Sequence, residues 1–241
     1  MSFAFVLAVG LVAGVISGII GTGSSIMLLP VLVYEFGPKE AVPIMAVASI
    51  MANLSRILAW WREVDWRAAG VYVVTGAPAA ALGARTLLAL PSHIVDATIG
   101  IFLIAAIPLR RWFVARGFVL SLWHLAIVGA IVGYITGIVA STGPITIPIF
   151  MSFGLIKGAL LGTEAAGSLG LYTSKALTFQ RFDAMPPATV LKGLIAGSSL
   201  MAGAFIAKRF VMRLDAESFR LLMEGMMLVA GLSMLWTAFH H

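Results

Sequence analysis

The sequence predicts an all-α polytopic membrane protein made of two inverted repeats, each a broken-helix hairpin followed by three transmembrane helices. The first observation is composition, because 61% of the 241 residues are hydrophobic and only 11% are charged, whereas a soluble domain carries about 25% charged residues. The second is a pair of glycine- and hydroxyl-rich interruptions inside two long apolar segments. The third is a set of matching residues in the two halves. The composition leaves no room for a soluble domain.

Composition also excludes several classes of function. A net charge of +6 is expected in a membrane protein whose basic loops face the cytoplasm, so no nucleic-acid partner is predicted. The chain contains no cysteine, and His93 and His124 have no partner at ligand spacing, so no metal site or cofactor is expected. The sequence contains no Walker A motif, which argues against a primary pump. It shows no nucleophile with a positioned base, so no enzyme is predicted.

The apolar segments follow one another along the whole chain. A transmembrane helix needs about 20 apolar residues, and the polar breaks divide the chain into blocks at about 3–36, 41–60, 68–90, 92–109, 119–154, 158–179, 187–207 and 219–239. The first block lacks a basic leader and a cleavage site, so it is predicted to be a membrane element rather than a signal peptide. The first and fifth blocks are too long for one span, and each carries one of the interruptions.

The two halves share a residue pattern. A shift of 119 residues superposes small and polar positions, namely Gly10, Gly14 and Gly18 on Gly129, Gly133 and Gly137, Ser49 on Ser168, and Arg56 on Lys175. A register that includes polar positions indicates duplication, with a first repeat at 1–117 and a second at 118–241. Such repeats are typical of secondary transporters.

The long blocks allow two topologies. If each crosses once, one side of the membrane holds nine of the 16 basic residues; if each returns as a hairpin, one side holds eleven. Cytoplasmic loops are enriched in Lys and Arg, so hairpins and inverted repeats are favoured. Both termini are then expected outside the cytoplasm, in a bacterial-type plasma membrane.

The interruptions predict an anion site. Gly21 and Gly23 suit the end of one helix, with Ser24 and Ser25 at the start of the next, and Pro144 suits the first turn of the matching helix in the second half. Free N–H groups at a helix start attract anions, so two such starts near the membrane midplane could clasp one anion. The alternative is that the glycines only permit close helix packing, and this is favoured for the six glycines matched between the halves.

Polar faces on two neighbouring spans support the same site. Ser49, Asn53 and Arg56 are spaced four and three residues apart and therefore share one helix face. Their counterparts are Ser168, Tyr172 and Lys175, with Glu164 one turn earlier. Arg56 and Lys175 either attract the anion or snorkel to the interface. Glu164 either couples proton movement or pairs with a base such as Lys157.

These residues form the predicted site. Substrate contacts are assigned to Thr22, Gly23, Ser24, Ser25, Ser141, Thr142, Gly143 and Pro144. A supporting role in substrate binding is assigned to Asn53, Arg56, Tyr172 and Lys175. Proton coupling is assigned to Glu164.

The motifs in order resemble the TauE/SafE family of sulfite and organosulfonate permeases. They are "GVISGIIGTGSSIMLLPVLVYEFG", "AVASIMANLSRILAWWREVDWR" and "GAPAAALGARTL" in the first half, and "GYITGIVASTGPITIPIF", "GTEAAGSLGLYTSKA" and "FDAMPP" in the second. The chain departs from the family's glycine triplet at both interruptions, and it carries Glu164 where the family has a small or apolar residue. The resemblance implies a secondary transporter for sulfite, sulfoacetate or another organosulfonate, working by alternating access. An uncoupled anion channel is the alternative.

Overall fold

A computed structural model describes residues 3–20, 24–139 and 141–207, together with 228, 232, 235 and 236. Within these residues the secondary structure is helical, with one short 3-10 turn at Trp61–Glu63 and no strand, which confirms the all-α prediction. The α-helices of the described ranges are α1 (Phe3–Ile20), α2 (Ser24–Phe36), α3 (Pro38–Trp60), α4 (Trp66–Ala89), α5 (Ser92–Arg116), α6 (Leu122–Ile138), α7 (Gly143–Ser152), α8 (Lys157–Arg181) and α9 (Pro187–Ala207). Thr22 and Gly23 and most of the last predicted span lie outside the described residues.

Among the described residues, four helical segments are long and apolar enough to cross a membrane. They are Lys39–Glu63, Trp66–Ala89, His93–Phe113 and Pro187–Ala207. Helix α8 is not among them although it has 25 residues. It carries the buried charges Glu164 and Lys175, and it packs against α3 and α4 on either side. The most polar long helix is therefore enclosed by more apolar ones, which keeps its charges away from lipid.

In both long apolar blocks, two separate helices flank the interruption that the sequence predicts. In the first half α1 ends at Ile20 and α2 begins at Ser24, and in the second α6 ends at Ile138 and α7 begins at Gly143. The N–H of Leu120, just before α6, donates to the carbonyl of Ser152 at the end of α7, 2.8 Å away. Because this bond joins the two ends of the broken segment, α6 and α7 form a hairpin that returns to its starting side.

The first broken segment also reverses direction. Gly10 and Gly18 of α1 face Ser199 and Ala207 of α9, so α1 and α9 run parallel. Helix α3 also runs parallel to α9, because Gly193 packs against Val47 and Gly197 against Met51. Since α1 and α3 point the same way, the chain must travel back between them along α2.

The matched glycines lie at the closest helix contacts. A Cβ added to Gly14 would fall 2.8 Å from the Leu200 Cα in α9, and one added to Gly133 would fall 2.7 Å from the Gly76 Cα in α4. Real Cβ atoms do not approach other atoms so closely. Small residues of this kind let helix backbones touch, so the prediction that these glycines serve helix packing is confirmed.

Helices α3 and α8 run antiparallel through the centre of the molecule. Arg56 bonds to Glu164, while Trp60, one turn later in α3, packs against Gly158 at the start of α8. The predicted duplication pairs these two helices, and inverted repeats require them to be antiparallel. The repeat boundary between 117 and 118 stays a prediction.

Candidate functional site

One polar cavity lies between α3 and α8. Both helices turn a polar face toward the cavity. The polar residues of each helix are three or four positions apart and therefore share one side of that helix. The lining residues from α3 are Ser49, Ala52, Asn53 and Arg56, and those from α8 are Glu164, Ser168 and Tyr172. Ser49 lies halfway along α3. The predicted polar faces are therefore brought together, except for one residue, Lys175.

The two helix breaks meet at the same cavity. Ser24 and Ser25, the first residues of α2, line it together with Ser141 and Gly143 at the start of α7. The space open to the centre of a water molecule is about 20 Å³, which accommodates about one water. The cavity is small, and its walls carry many hydroxyl groups.

Arg56 and Glu164 form an ion pair at this cavity. The Arg56 Nη1 donates to Glu164 Oε2 at 2.9 Å, and the guanidinium also donates to the Asn53 side-chain oxygen. Only 7% of Arg56 and 1% of Glu164 is exposed. The alternatives in which Arg56 snorkels to the interface and Glu164 pairs with Lys157 are therefore wrong, because α3 places the arginine directly opposite the acid.

The second oxygen of Glu164 is held by two hydroxyl groups. Thr146 Oγ1 donates to Oε1 at 2.9 Å from α7, and Ser168 Oγ donates at 2.7 Å from one turn along α8. Charge-assisted hydrogen bonds of this kind are stronger than neutral ones. The carboxylate is thus fixed by one guanidinium and two hydroxyl donors.

Lys175 lies elsewhere, at the end of α6. Its ammonium donates to the carbonyls of Thr136 at 2.8 Å and Val139 at 2.7 Å, and none of the residue is exposed. The snorkelling alternative is wrong for Lys175 too, and the residue does not line the cavity. A helix that stops leaves its last carbonyls without intrahelical partners, and a cation there also matches the negative end of the helix dipole.

The start of α7 offers fewer backbone donors than the sequence suggests. Pro144 stands in the first turn, as predicted, but has no N–H, and the N–H groups of Ile145 and Thr146 already bond to the Thr142 carbonyl. The Gly143 N–H bonds to Ser141 Oγ at 3.3 Å. Helix α7 therefore contributes its dipole and one weakly held N–H to the site, rather than a ring of free donors.

Two predicted contact residues lie behind the cavity wall. Thr142 and Pro144 are buried, and neither lines the cavity. The Thr142 hydroxyl is 2.6 Å from that of Thr136. These residues shape the break in the helix rather than the surface of the cavity.

Sequence reasoning missed Thr146 and Tyr72. Thr146 lies inside a short apolar helix, where a threonine gives no signal of its own, and its contact with Glu164 depends on how α7 folds back. Tyr72, on α4, is completely buried, packs on Phe150 with ring centroids 5.2 Å apart, and lies within electrostatic range of Glu164. Its hydroxyl has no hydrogen-bond partner.

The donor set determines which ligands the cavity suits. Arg56, the surrounding serines and the Tyr172 hydroxyl, which lies beside Ser141 and Ser49, all donate hydrogen bonds. A guanidinium offers a planar fork that fits oxyanions. Within the described ranges no three His, Cys, Asp or Glu residues come together as metal ligands. The chemistry of the site favours a small oxygen-rich anion.

Comparison with known proteins identifies the family of the chain. Residues 6–234 match the sequence model of the family described as sulfite exporter TauE/SafE. A probable membrane transporter protein of Bacillus subtilis, YjnA, is 24% identical over 95% of this chain and 98% of its own length. A second, YunE, is 26% identical over 43% of this chain and 42% of its own. No solved structure matches. The chain therefore belongs to the sulfite exporter TauE/SafE family and is an integral membrane transporter.

Proposed function

We propose that the chain is a secondary transporter that moves a small sulfur-containing anion, such as sulfite or an organosulfonate, by alternating access around the polar cavity. The single observation that carries this proposal is the buried Arg56 guanidinium, which lies beside the Glu164 carboxylate at a cavity whose other lining groups are mostly hydroxyl groups. A charge inside a membrane protein is costly and generally marks a substrate or ion pathway. The family description supplies the word sulfite, and the chemistry of the site is consistent with it.

Each part of the cavity has a role in the proposal. Arg56 binds the anion, and Asn53 orients the guanidinium by accepting one of its hydrogen bonds. Ser24, Ser25, Ser141, Gly143 and Tyr172 supply further donors, and we assign Thr22 and Gly23 to the same wall. Thr142, Pro144 and Lys175 act indirectly by holding the break between α6 and α7. Glu164 is the candidate for proton coupling.

The architecture supports alternating access. Inverted repeats commonly place a substrate site between broken helices near the midplane, and the repeats then rock about that fixed site. Here two hairpin breaks and the antiparallel helices α3 and α8 surround one cavity. Because the cavity has room for about one water, an anion as small as sulfite requires the fewest side chains to move.

The first prediction concerns anion binding. The melting temperature of the purified protein in detergent should rise with sulfite or methanesulfonate, because a ligand that binds only the folded state stabilises it. Arg56→Lys should reduce the rise, since an ammonium lacks the bidentate fork. The matched control is Arg85→Lys, because Arg85 stacks on Phe182 and does not line the cavity. The proposal fails if no anion raises the melting temperature, or if both variants lower the effect equally.

A flux measurement separates the transporter from the channel. Protein reconstituted in vesicles should accumulate labelled sulfite above its equilibrium concentration when a proton gradient is imposed. A channel would only let the anion equilibrate. Flux without accumulation under every gradient would identify the channel.

A further inference from the structure

Glu164 occupies the hydrogen-bond donors that an incoming oxyanion would need. Its two oxygens receive hydrogen bonds from Arg56, Thr146 and Ser168. A carboxylate and a sulfonate both present oxygen atoms carrying a shared negative charge. The protein's own acid thus stands where the substrate's anionic group would pair with Arg56.

We infer that substrate binding displaces Glu164 from Arg56 and that Glu164 takes up one proton as it leaves, so that the site carries one singly charged anion together with one proton. This inference rests on the proposed function and deepens it. It assigns the coupling ion, the ratio of protons to anions, and the charge of the substrate.

The charge count at the cavity supports this ratio. Without substrate the cavity holds one cation and one carboxylate, Arg56 and Glu164, so the two charges cancel. If an anion joined them while Glu164 stayed ionised, two negative groups would compete for one guanidinium in a buried site, which is costly. Protonation of Glu164 restores neutrality for a monoanion. A dianion would leave one excess negative charge, so hydrogen sulfite or a monosulfonate fits better than sulfate.

The other groups around Glu164 do not replace it in this role. Arg56 faces it from α3, and the phenol groups of Tyr72 on α4 and Tyr172 on its own helix lie within electrostatic range. Helix α7 presents Thr146, which is not titratable. Directly before Glu164, Thr163 accepts a hydrogen bond from the Asp65 N–H, and at the start of α8 Gly158 packs beside Glu63. Among these groups, Glu164 is the carboxylate that lines the cavity.

The proton step is balanced within the site. A proton from hydronium or a buffer acid on the open side forms an O–H bond at Glu164 Oε2, the donor is left as water or as its conjugate base, and the hydrogen bond from Arg56 to that oxygen breaks. The Arg56 N–H groups then donate to the anion. Oε1 keeps its bonds from Thr146 and Ser168, while the new O–H group can donate to the anion. When the anion leaves, the proton leaves with it.

Calorimetry with methanesulfonate tests this inference on the full-length protein in detergent. Methanesulfonate carries one charge at any working pH, so protons taken up during its binding must come to the protein. Titrations at pH 8 in buffers of different ionisation enthalpy should show uptake of about one proton per anion, and the apparent Kd should rise about tenfold for each pH unit over which that proton is taken up. Sulfate should bind more weakly than methanesulfonate.

Glu164→Gln mimics the protonated acid. This variant should bind methanesulfonate without proton uptake, and its Kd should not change with pH and should be lower than that of the unmodified protein at pH 8. The matched control is Glu40→Gln. Glu40 pairs with Lys192 and does not line the cavity, so this variant should behave as the unmodified protein.

The possible failures are distinguishable. If methanesulfonate binds the unmodified protein without proton uptake, or less tightly than sulfate, the inference is overturned while the proposed transport function stands. If neither methanesulfonate, sulfite nor sulfate binds the unmodified protein or Glu164→Gln, the proposed function itself is overturned. The proton measurement on the unmodified protein decides the inference even if Glu164→Gln does not fold.

Discussion

Arg56 and Lys175 occupy matching positions of the predicted repeats but do different work. Arg56 points at the cavity and pairs with Glu164 across the interface between α3 and α8. Lys175 turns toward the end of α6 and bonds to two backbone carbonyls. An ammonium can donate to several oxygens in different directions, whereas a guanidinium presents its donors in one plane. Lys175 is therefore suited to a helix end, and Arg56 to an oxyanion.

Replacement of Lys175 should affect stability more than anion binding. Lys175→Met keeps an unbranched side chain of similar length but leaves the Thr136 and Val139 carbonyls without their donor, at about 1–3 kcal/mol for each unsatisfied group. We expect a lower melting temperature in detergent, with methanesulfonate still raising it. The control is Lys192→Met, which removes a partly exposed ion pair with Glu40 of a kind that contributes little. Equal losses in the two variants would contradict this role for Lys175.

The sequence predicted the members of the cavity better than their partners. Spacing alone placed Ser49, Asn53 and Arg56 on one face of a helix, because the helical period is fixed. The bond between Arg56 and Glu164 spans 108 residues of sequence and depends on the packing register of α3 and α8, which no local pattern records. The role of Lys175 was missed because the end of α6 had to be located in space before its carbonyls could be assigned a donor.

At the scale of single elements, glycine decides how closely the helices approach. On α6, Gly129 and Gly133 lie directly against the backbone of α4 at Tyr72 and Gly76. Thr75 of α4 adds a hydrogen bond to the Ala126 carbonyl at 2.6 Å. Lipid supplies no hydrophobic drive for helix association, so close packing and such hydrogen bonds hold the pair together. The contact between α4 and α6 is therefore sensitive to a single methyl group.

Two glycine-to-alanine changes should have opposite effects. At Gly133 the new Cβ would lie 2.7 Å from the Gly76 Cα, so the helices must separate, which costs about 1–3 kcal/mol. At Gly70 on α4 the new Cβ meets nothing within 4 Å, and alanine favours the helix by about 1 kcal/mol. Thermal unfolding in detergent should show a lower midpoint for Gly133→Ala and an unchanged or higher one for Gly70→Ala. A loss in neither variant would mean that α4 and α6 are less tightly packed than described.

Element boundaries were the most predictable feature of the fold. Both interruptions fall where glycine and hydroxyl residues replace the apolar pattern, and Pro144 lies in the first helical turn as its chemistry requires. Whether each broken segment folds back as a hairpin was harder to predict, because its length and hydropathy are compatible both with crossing the membrane and with returning to the same side. It was the count of basic residues that favoured the return.

At the scale of the whole molecule, the helix directions define two ends. The loops at 117–121 and 153–156 lie at one end, joined by the bond between Leu120 and Ser152. The starts of α3, α5 and α9 lie at the other end, because α3 and α9 run parallel to each other and opposite to α8 and α4. Arg62, Arg67, Arg116 and Lys157 all belong to the first end, so the positive-inside rule predicts that this end faces the cytoplasm.

Single cysteines can test this arrangement directly, because the chain contains none. Val119→Cys and Ile156→Cys lie at exposed positions on either side of the α6–α7 hairpin. An impermeant maleimide should label neither in intact bacterial cells and both after permeabilisation. The control His93→Cys, exposed at the start of α5, should be labelled in intact cells. Labelling of only one of the first two would mean that the broken segment crosses the membrane.

The ion pair between Arg56 and Glu164 also has a consequence for the substrate-free protein. It joins α3 to α8, so sliding of one helix along the other must separate two opposite charges. This separation is costly, because little water is present to screen their attraction. The ion pair therefore opposes movement of α3 against α8 when no substrate is bound. In the proposed transport cycle, the contact that the substrate must break would thus limit turnover without substrate and the proton leak that such turnover would cause.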